Sequence, residues 1–340
     1  MLHVIRLGKG IGFLTLVTLL LIMGGTLAAA DEQATLTVVA DYAGKGEIFT
    51  EFHKKTGILI YFLDMSSGEV LSRTESKGGR PLADLWFGGG VESFIKAREE
   101  GLLEVYRSPE AEAVPAQYKD PEGYWTGVSL IMAGFLVNTD VLAEKNLPVP
   151  HTWSELIKPD YKDAVLLADP AISATTFSVA ACLLQKMGAE EGWKYLEALG
   201  KNIPFFTKSS NDPQKRVSRG EMAVSIVPLS KELLASPVKS QVQAIFPKDG
   251  IPWMPSAVAI FKDARNPTAA KAFVDWALSV EGQKIIQEKD PRIMVRPEIA
   301  IPKEMEGVVL TDLIPTDIIK TGADRREILD TWAHRVEEKH

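Results

Sequence analysis

The residues of this chain whose types and spacing suggest chemistry are hydroxyls and glycines at the ends of apolar runs. Gly44-x-Gly46, Ser66-Ser67-Gly68 and Gly88-Gly89-Gly90 each follow a short apolar stretch and precede a helical pattern. Small residues at such a junction leave the first-turn N–H groups of the helix without intrahelical partners, with about half a positive charge facing outward. One junction of this kind is a structural cap, its Ser accepting one of those N–H bonds. Three in succession describe a polar cleft that tolerates an anion, with Tyr42, Gly44, Ser66, Ser67, Gly68 and Gly89 as candidate contacts. "ADPAISATTFSV" and "TKSSNDPQKRV" repeat the arrangement and add Ser173, Thr175, Thr176, Ser210 and Asn211. Trp253, with Tyr42, Trp86 and Trp125, would supply an aromatic wall.

Catalytic and metal signatures are weak by comparison. There is no G-x-S-x-G, no H-E-x-x-H and no cysteine pair, since Cys182 is the single cysteine. Without a second cysteine no intramolecular disulfide can form, and Cys182 in "SVAACLLQKM" reads as packing. His53 and His151 are far apart in sequence. The dinucleotide fingerprint suggested by "AGKGEIF" fails at its third glycine, where Phe49 stands. The expectation is therefore no catalytic residue, no metal ligand and no cofactor.

The elements that must position the candidates alternate strand and helix. "LTVVA", "ILIYFL" and "ADLWFGG" each precede a helix. "GEIFTEFHKKTG" puts Ile48, Phe49 and Phe52 on one face. That rhythm predicts βαβ units with a parallel sheet covered on both faces. The apolar run Val128 to Val137 is long for one strand and suits a crossing between two lobes. Thr152-x-x-Glu155 is a capping box. "AVLLADP", "IPFFT" and "MAVSIVPL" predict strands of a second α/β lobe. "SAVAIF" predicts another strand, and residues 266–289 one long helix opened by Asn266 and Pro267. "DRREILDTWAHRVEE" predicts a further helix.

The first thirty residues read as a secretory leader: Arg6 and Lys9, then "FLTLVTLLLIM", then Ala28-x-Ala30. This predicts a periplasmic protein. The net charge of −7, without a basic stripe, is a poor match for nucleic acid or an anionic membrane. An anion would have to be drawn by local dipoles and a few cations.

The layout resembles the extracellular solute-binding proteins of bacterial ABC importers, in the group with ferric-iron, thiamine, phosphonate and sugar-phosphate binders. "LTVVADYAGKGEIFTEFHKKTGI", "ADLWFGGGVESFIKAREEGLLE", "NDPQKRVSRGEMAVSI" and "AVAIFKDARNPTAAKAFVDWALSVEGQ" carry the resemblance, which spans the chain beyond the leader. It implies two three-layer α/β lobes joined by crossing hinge strands, a periplasmic binding protein type II-like fold that closes on its ligand. The expected division is 1–30 leader, 31–127 plus 256–300 first lobe, and 128–255 plus 301–340 second lobe with the C-terminal helix. Ferric-iron members use adjacent tyrosines after the Gly-Glu turn; here Gly220-Glu221 leads into "MAVSIVPLSKELL", which lacks one. The implied role is a non-enzymatic, monomeric importer component. Its partners would be a small organic anion, phosphorylated or carboxylated, and a membrane permease. Alternatives are ferric iron or a thiamine-type cation, and a periplasmic sensor feeding a membrane kinase.

Overall fold

The computed structural model describes residues 5–6, 34–76, 81–229, 233, 241–306 and 308–338. The expected leader lies outside that set except for Ile5–Arg6, whose backbone forms a short strand β1. It runs parallel to β3 (Leu59–Asp64). Between β3 and β4 (Leu85–Gly90) lies β2 (Thr35–Asp41), parallel to both. β4 is buried throughout and β2 over most of its length because helices cover the sheet on either side, whereas β3, nearer the edge, buries only Ile60 and Phe62. On one face α1 (Lys45–Thr56) sends Ile48, Phe49 and Phe52 into a cluster with Phe87 and Phe273. On the other, α2 (Ser67–Ser76) and α3 (Val91–Glu99) pack with Trp86, which stacks on Phe94 at 4.1 Å.

Beyond β4 the sheet turns antiparallel. β10 (Trp253–Phe261) pairs with β4 on one side and with β6 (Thr126–Asn138) on the other. The apolar run that looked long for one strand lies within a single strand, β6. Residues 126–132 of β6 pair with β10, whereas 133–137 pair with β8 (Val224–Pro228) and 135–138 with β9 (Val242–Ile245). β8 continues the second half-sheet to β7 (Val165–Leu166). The second core lies there, with Phe135, Trp153, Phe177 and Leu196 packed beneath α6 (Ala174–Met187) and α7 (Ala189–Gly200). Cys182 is buried in it, as expected from its sequence neighbours.

Several expectations give way to local chemistry. "IPFFT" forms no strand, only an isolated bridge between Ala168 and Thr207, and "AVLLADP" shortens to Val165–Leu166. The helix expected over 266–289 breaks at Ser279 into Pro267–Leu278 (α9, after α8 at Asp212–Ser218) and Val280–Lys289 (α10). Ser279 is extended, and its Oγ accepts from Gly282 N–H at 3.1 Å, so the serine ends one helix and caps the next. Asn266 does not cap α9; its side chain donates to Asp84.

β6 changes sheet between Met132 and Ala133, and Trp253–Pro255 pair with the first half of β6. β6 thus runs through both half-sheets. Met305, Val308, Leu313 and Ile318 join the first core, and α11 (Ile318–Ala323) packs on α3. Ile328 and Trp332 of α12 (Arg325–Trp332) join the second. Apolar residues that alternate between two cores hold this strap across both lobes.

Candidate functional site

The carboxyl ends of β2, β3 and β4 point at one cavity of about 620 Å³ between the lobes, where an open α/β sheet presents its ligands. The crossing strand contributes Leu130–Met132 to its floor. The first lobe supplies the starts of α2 and α3, and the second lobe the start of α6 and the turn Lys208–Asn211.

Ser66 and Ser67, adjacent in sequence, do different work. Ser66 exchanges bonds with Glu69: its N–H and Oγ–H donate to Glu69 Oε2 at 3.1 and 3.3 Å, and Glu69 N–H points back at Ser66 Oγ at 3.5 Å. This is the reciprocal capping arrangement, so Ser66 is the cap. Ser67 N–H and Oγ–H both turn inward to Asp41 Oδ2, at 3.3 and 3.4 Å. The hydroxyl proton expected to face an anion is thus committed to a carboxylate.

Gly88 and Gly89 make this approach possible. Both have positive φ, +88° and +86°, and a Cβ on Gly89 would sit 1.9 Å from Ser67 Oγ. Only glycine fits there without rebuilding the floor.

The charges are mixed. Asp41 titrates above its ordinary 3.8 because burial disfavours the carboxylate, a push opposed by the Ser67 N–H, Arg292 and Lys45. Arg292 lies over the Tyr42 ring at 4.4 Å and pairs with Asp290 at 2.6 Å. Burial works against its charge, but Tyr42, Asp290 and Asp41 outweigh it and raise its pKa. Glu92, at the start of α3, is 3% exposed and also raised by burial, with Arg325 opposing. Its Oε1 accepts from Ser93 Oγ at 3.1 Å. From the second lobe, Lys208 Nζ reaches Asp169 at 2.8 Å, and Ser173 Oγ accepts from Thr176 N–H at 3.3 Å, capping α6.

Of the residues singled out in the sequence, Ser66, Ser67, Gly68, Gly89, Ser173, Thr175, Ser210 and Asn211 meet at this cavity. Tyr42, Gly44, Thr176 and Trp253 do not line it. Tyr42 is buried, its ring stacked on Phe87 at 4.8 Å and its hydroxyl bonded to Ser129. Gly44 packs against Lys289, Thr176 is buried within α6, and Trp253 is held in the first core by a bond from Nε1 to Ile314 O. Trp86 and Trp125 belong to the same core, so the aromatic wall does not form from these residues. Sequence reasoning missed Asp41, Glu92, Lys208, Arg292 and Arg325, all at the cavity. Asp41 and Glu92 carried a signal: each is a carboxylate beside an apolar strand end. Arg292 carried none, because the irregular chain past Pro291 gives no period to read, and Arg325 opens the expected helix "DRREILDTWAHRVEE", whose period does not say what its first turn faces.

A depression of similar volume, about 630 Å³, lies on the second lobe beside Pro159, Lys162, Lys201 and Pro204. Asn202, the polar side chain beneath it, already donates to Leu156 O and Lys158 O. It gathers no strand ends.

Two half-sheets joined by a crossing strand, with strand ends and helix starts converging between them, define a periplasmic binding protein of the type II fold. Residues 80–299 match the bacterial extracellular solute-binding protein family, and the chain belongs to that family. It is 28% identical to the periplasmic binding protein AfuA from Actinobacillus pleuropneumoniae, solved with exogenous fructose 6-phosphate bound. The two structures superpose with a TM-score of 0.82 over 90% of this chain and 99% of that one. A probable ABC transporter periplasmic-binding protein y4fP of Sinorhizobium fredii is 27% identical, over 89% of this chain and 86% of its own. Iron-bound HitA from Pseudomonas aeruginosa, 20% identical with a TM-score of 0.75 over 88% and 99%, shares the fold.

Proposed function

We propose that this chain captures a small organic anion bearing hydroxyls, a sugar phosphate or related phosphorylated or carboxylated metabolite, in the interlobe cleft. It hands the solute, without turnover, to the membrane permease of an ABC importer. The chain acts in the periplasm as a monomer, exported by the leader at 1–30 and divided into two lobes that close on the ligand.

The observation that carries the reading is the convergence on one cavity of three helix starts with Arg292, Arg325 and Lys208, beside the carboxylates Asp41 and Glu92. Helix termini attract the anion, each contributing roughly 0.3–1 kcal/mol. Charge-assisted hydrogen bonds add ~1.5–3 kcal/mol each, so micromolar affinity, about 8 kcal/mol, is within reach. The carboxylates, Glu92 buried and Asp41 half-buried, suit hydroxyl donors of the same ligand. Ferric iron has less support: the described lining of the cavity contains neither tyrosine nor histidine, and Fe(III) favours phenolate and other anionic oxygens.

A thermal-shift panel tests the reading. Fructose 6-phosphate, inorganic phosphate, spermidine and ferric citrate are each added to the purified protein. A ligand at about 100 times its Kd adds ~2.7 kcal/mol of stability. Stabilisation by the sugar phosphate, and none by spermidine, is the expected result. Stabilisation by spermidine or ferric citrate alone would overturn the ligand class.

A further inference from the structure

Two atoms at the cleft are buried, oppositely charged and unpaired. Glu92 Oε2 and Arg325 Nε have no hydrogen-bond partner among the described residues, and both side chains line the same cavity. Glu92 comes from α3 in the first lobe; the Cβ missing from Gly90 would lie only 2.2 Å from its Oε2. Arg325 opens α12 in the strap that crosses both lobes, its guanidinium 5.5 Å from the Phe177 ring centroid. The two charges feel each other without a direct hydrogen bond. Buried polar atoms in native proteins are rarely left open. An unpaired acceptor and an unpaired donor on two side chains that line one cavity describe the guest that would satisfy both.

We propose that Glu92 Oε2 and Arg325 Nε form a two-point subsite for a hydroxylated anion, the carboxylate accepting from a ligand hydroxyl while the guanidinium donates to an anionic oxygen. The strap past residue 299, outside the span that matches the family, then takes part in choosing the solute. This rests on the anion reading above and adds a requirement to it. A bare anion satisfies Arg325 but sets its charge against Glu92, so the subsite discriminates against inorganic phosphate. A neutral sugar satisfies Glu92 and leaves Arg325 open.

Titration calorimetry of the full chain with fructose 6-phosphate and inorganic phosphate tests the pair. Arg325→Ala should weaken fructose 6-phosphate about 10- to 100-fold, the equivalent of one charge-assisted hydrogen bond. Arg325→Lys should restore only part of this, because a lysine offers a point charge without the fixed Nε–H. Glu92→Gln should weaken the sugar phosphate about tenfold yet tighten inorganic phosphate, since it removes the repelling carboxylate. That opposite response is a signature a merely structural Glu92 would not give. Arg326→Ala, on an exposed residue paired with Asp330, should change neither affinity. Melting curves without ligand show that each variant is folded. Glu92→Gln shifting both ligands in one direction, or Arg325→Ala binding like wild type, overturns the subsite while leaving the anion reading intact. Wild-type protein that binds neither phosphate overturns that reading, and the subsite with it.

Discussion

Replacing Gly89 by alanine should damage this protein more than its single added methyl suggests. At φ +86° an L residue costs roughly 1–3 kcal/mol in backbone strain. The new Cβ would also stand 1.9 Å from Ser67 Oγ and 3.1 Å from Asp41 Oδ2, so the Ser67 hydroxyl must turn away from the carboxylate. That gives up its 3.4 Å bond to Asp41. A hydrogen bond to a charged group contributes ~1.5–3 kcal/mol, so Gly89→Ala should lose about 3–5 kcal/mol of a stability on the order of 5–15. Ser67→Ala alone should lose ~1.5–3 kcal/mol. In the double variant the clashing oxygen is absent and the bond is lost once. Its cost should therefore fall short of the sum by about 1.5–3 kcal/mol. Gly68→Ala is the contrast: its Cβ would meet nothing within 4 Å in the first turn of α2, and it should gain ~0.5–1 kcal/mol. Urea unfolding of the five ligand-free proteins, with m checked for constancy, reads all of this. Additive single costs, or a Gly89→Ala as mild as Gly68→Ala, would refute the described packing of Gly89, Ser67 and Asp41.

Other consequences concern the charges beside that floor. Because Asp41 titrates above 3.8 when folded, the native state binds more protons than the unfolded chain over the window from 3.8 up to the raised value. Stability falls as pH rises through this window, and the penalty persists at neutral pH. Asp41→Asn should therefore flatten the decline above pH ~4 and stabilise the empty protein at pH 7, while weakening solute binding; a destabilised Asp41→Asn at pH 7 would show that Arg292 and Lys45 more than offset burial. Arg292→Met leaves the buried Asp290 without its partner and should cost about 3–5 kcal/mol in denaturant unfolding. A loss below ~1 kcal/mol would mean that Asp290 does not depend on the guanidinium.

What the sequence disclosed depended on how local the signal was. Apolar runs closed by glycine marked β2, β3 and β4, and the long run at 128–137 marked the crossing strand, because burial on both faces leaves few polar interruptions. Ser66 and Ser173 were legible as small polar residues at helix starts, and both cap. The function of Ser67 was not, because it depends on Asp41, 26 residues earlier, which only strand pairing brings beside it. Ser279 breaks a helix that periodicity drew as continuous, since one cap residue leaves the apolar stripe on either side intact. Tyr42 and Trp253 looked like ligand contacts because aromatic residues near strand ends serve either a cleft or a core, and sequence does not say which. Arg292 reaches the cleft through irregular chain, where no period places a side chain, and Arg325 starts a helix whose period does not reveal which lobe its first turn faces.

Native mass spectrometry of the purified protein, followed by denaturation and identification of what is released, tests the central claim most directly. A tight binder keeps its cargo through gentle purification, and the cleft described here predicts a released metabolite that is phosphorylated or carboxylated and carries hydroxyls. Protein emptied and reloaded with fructose 6-phosphate should gain one ligand mass, and retain less of it when Arg325 is replaced. Release of iron or of a polyamine, with no mass gained from the sugar phosphate, would contradict the claim.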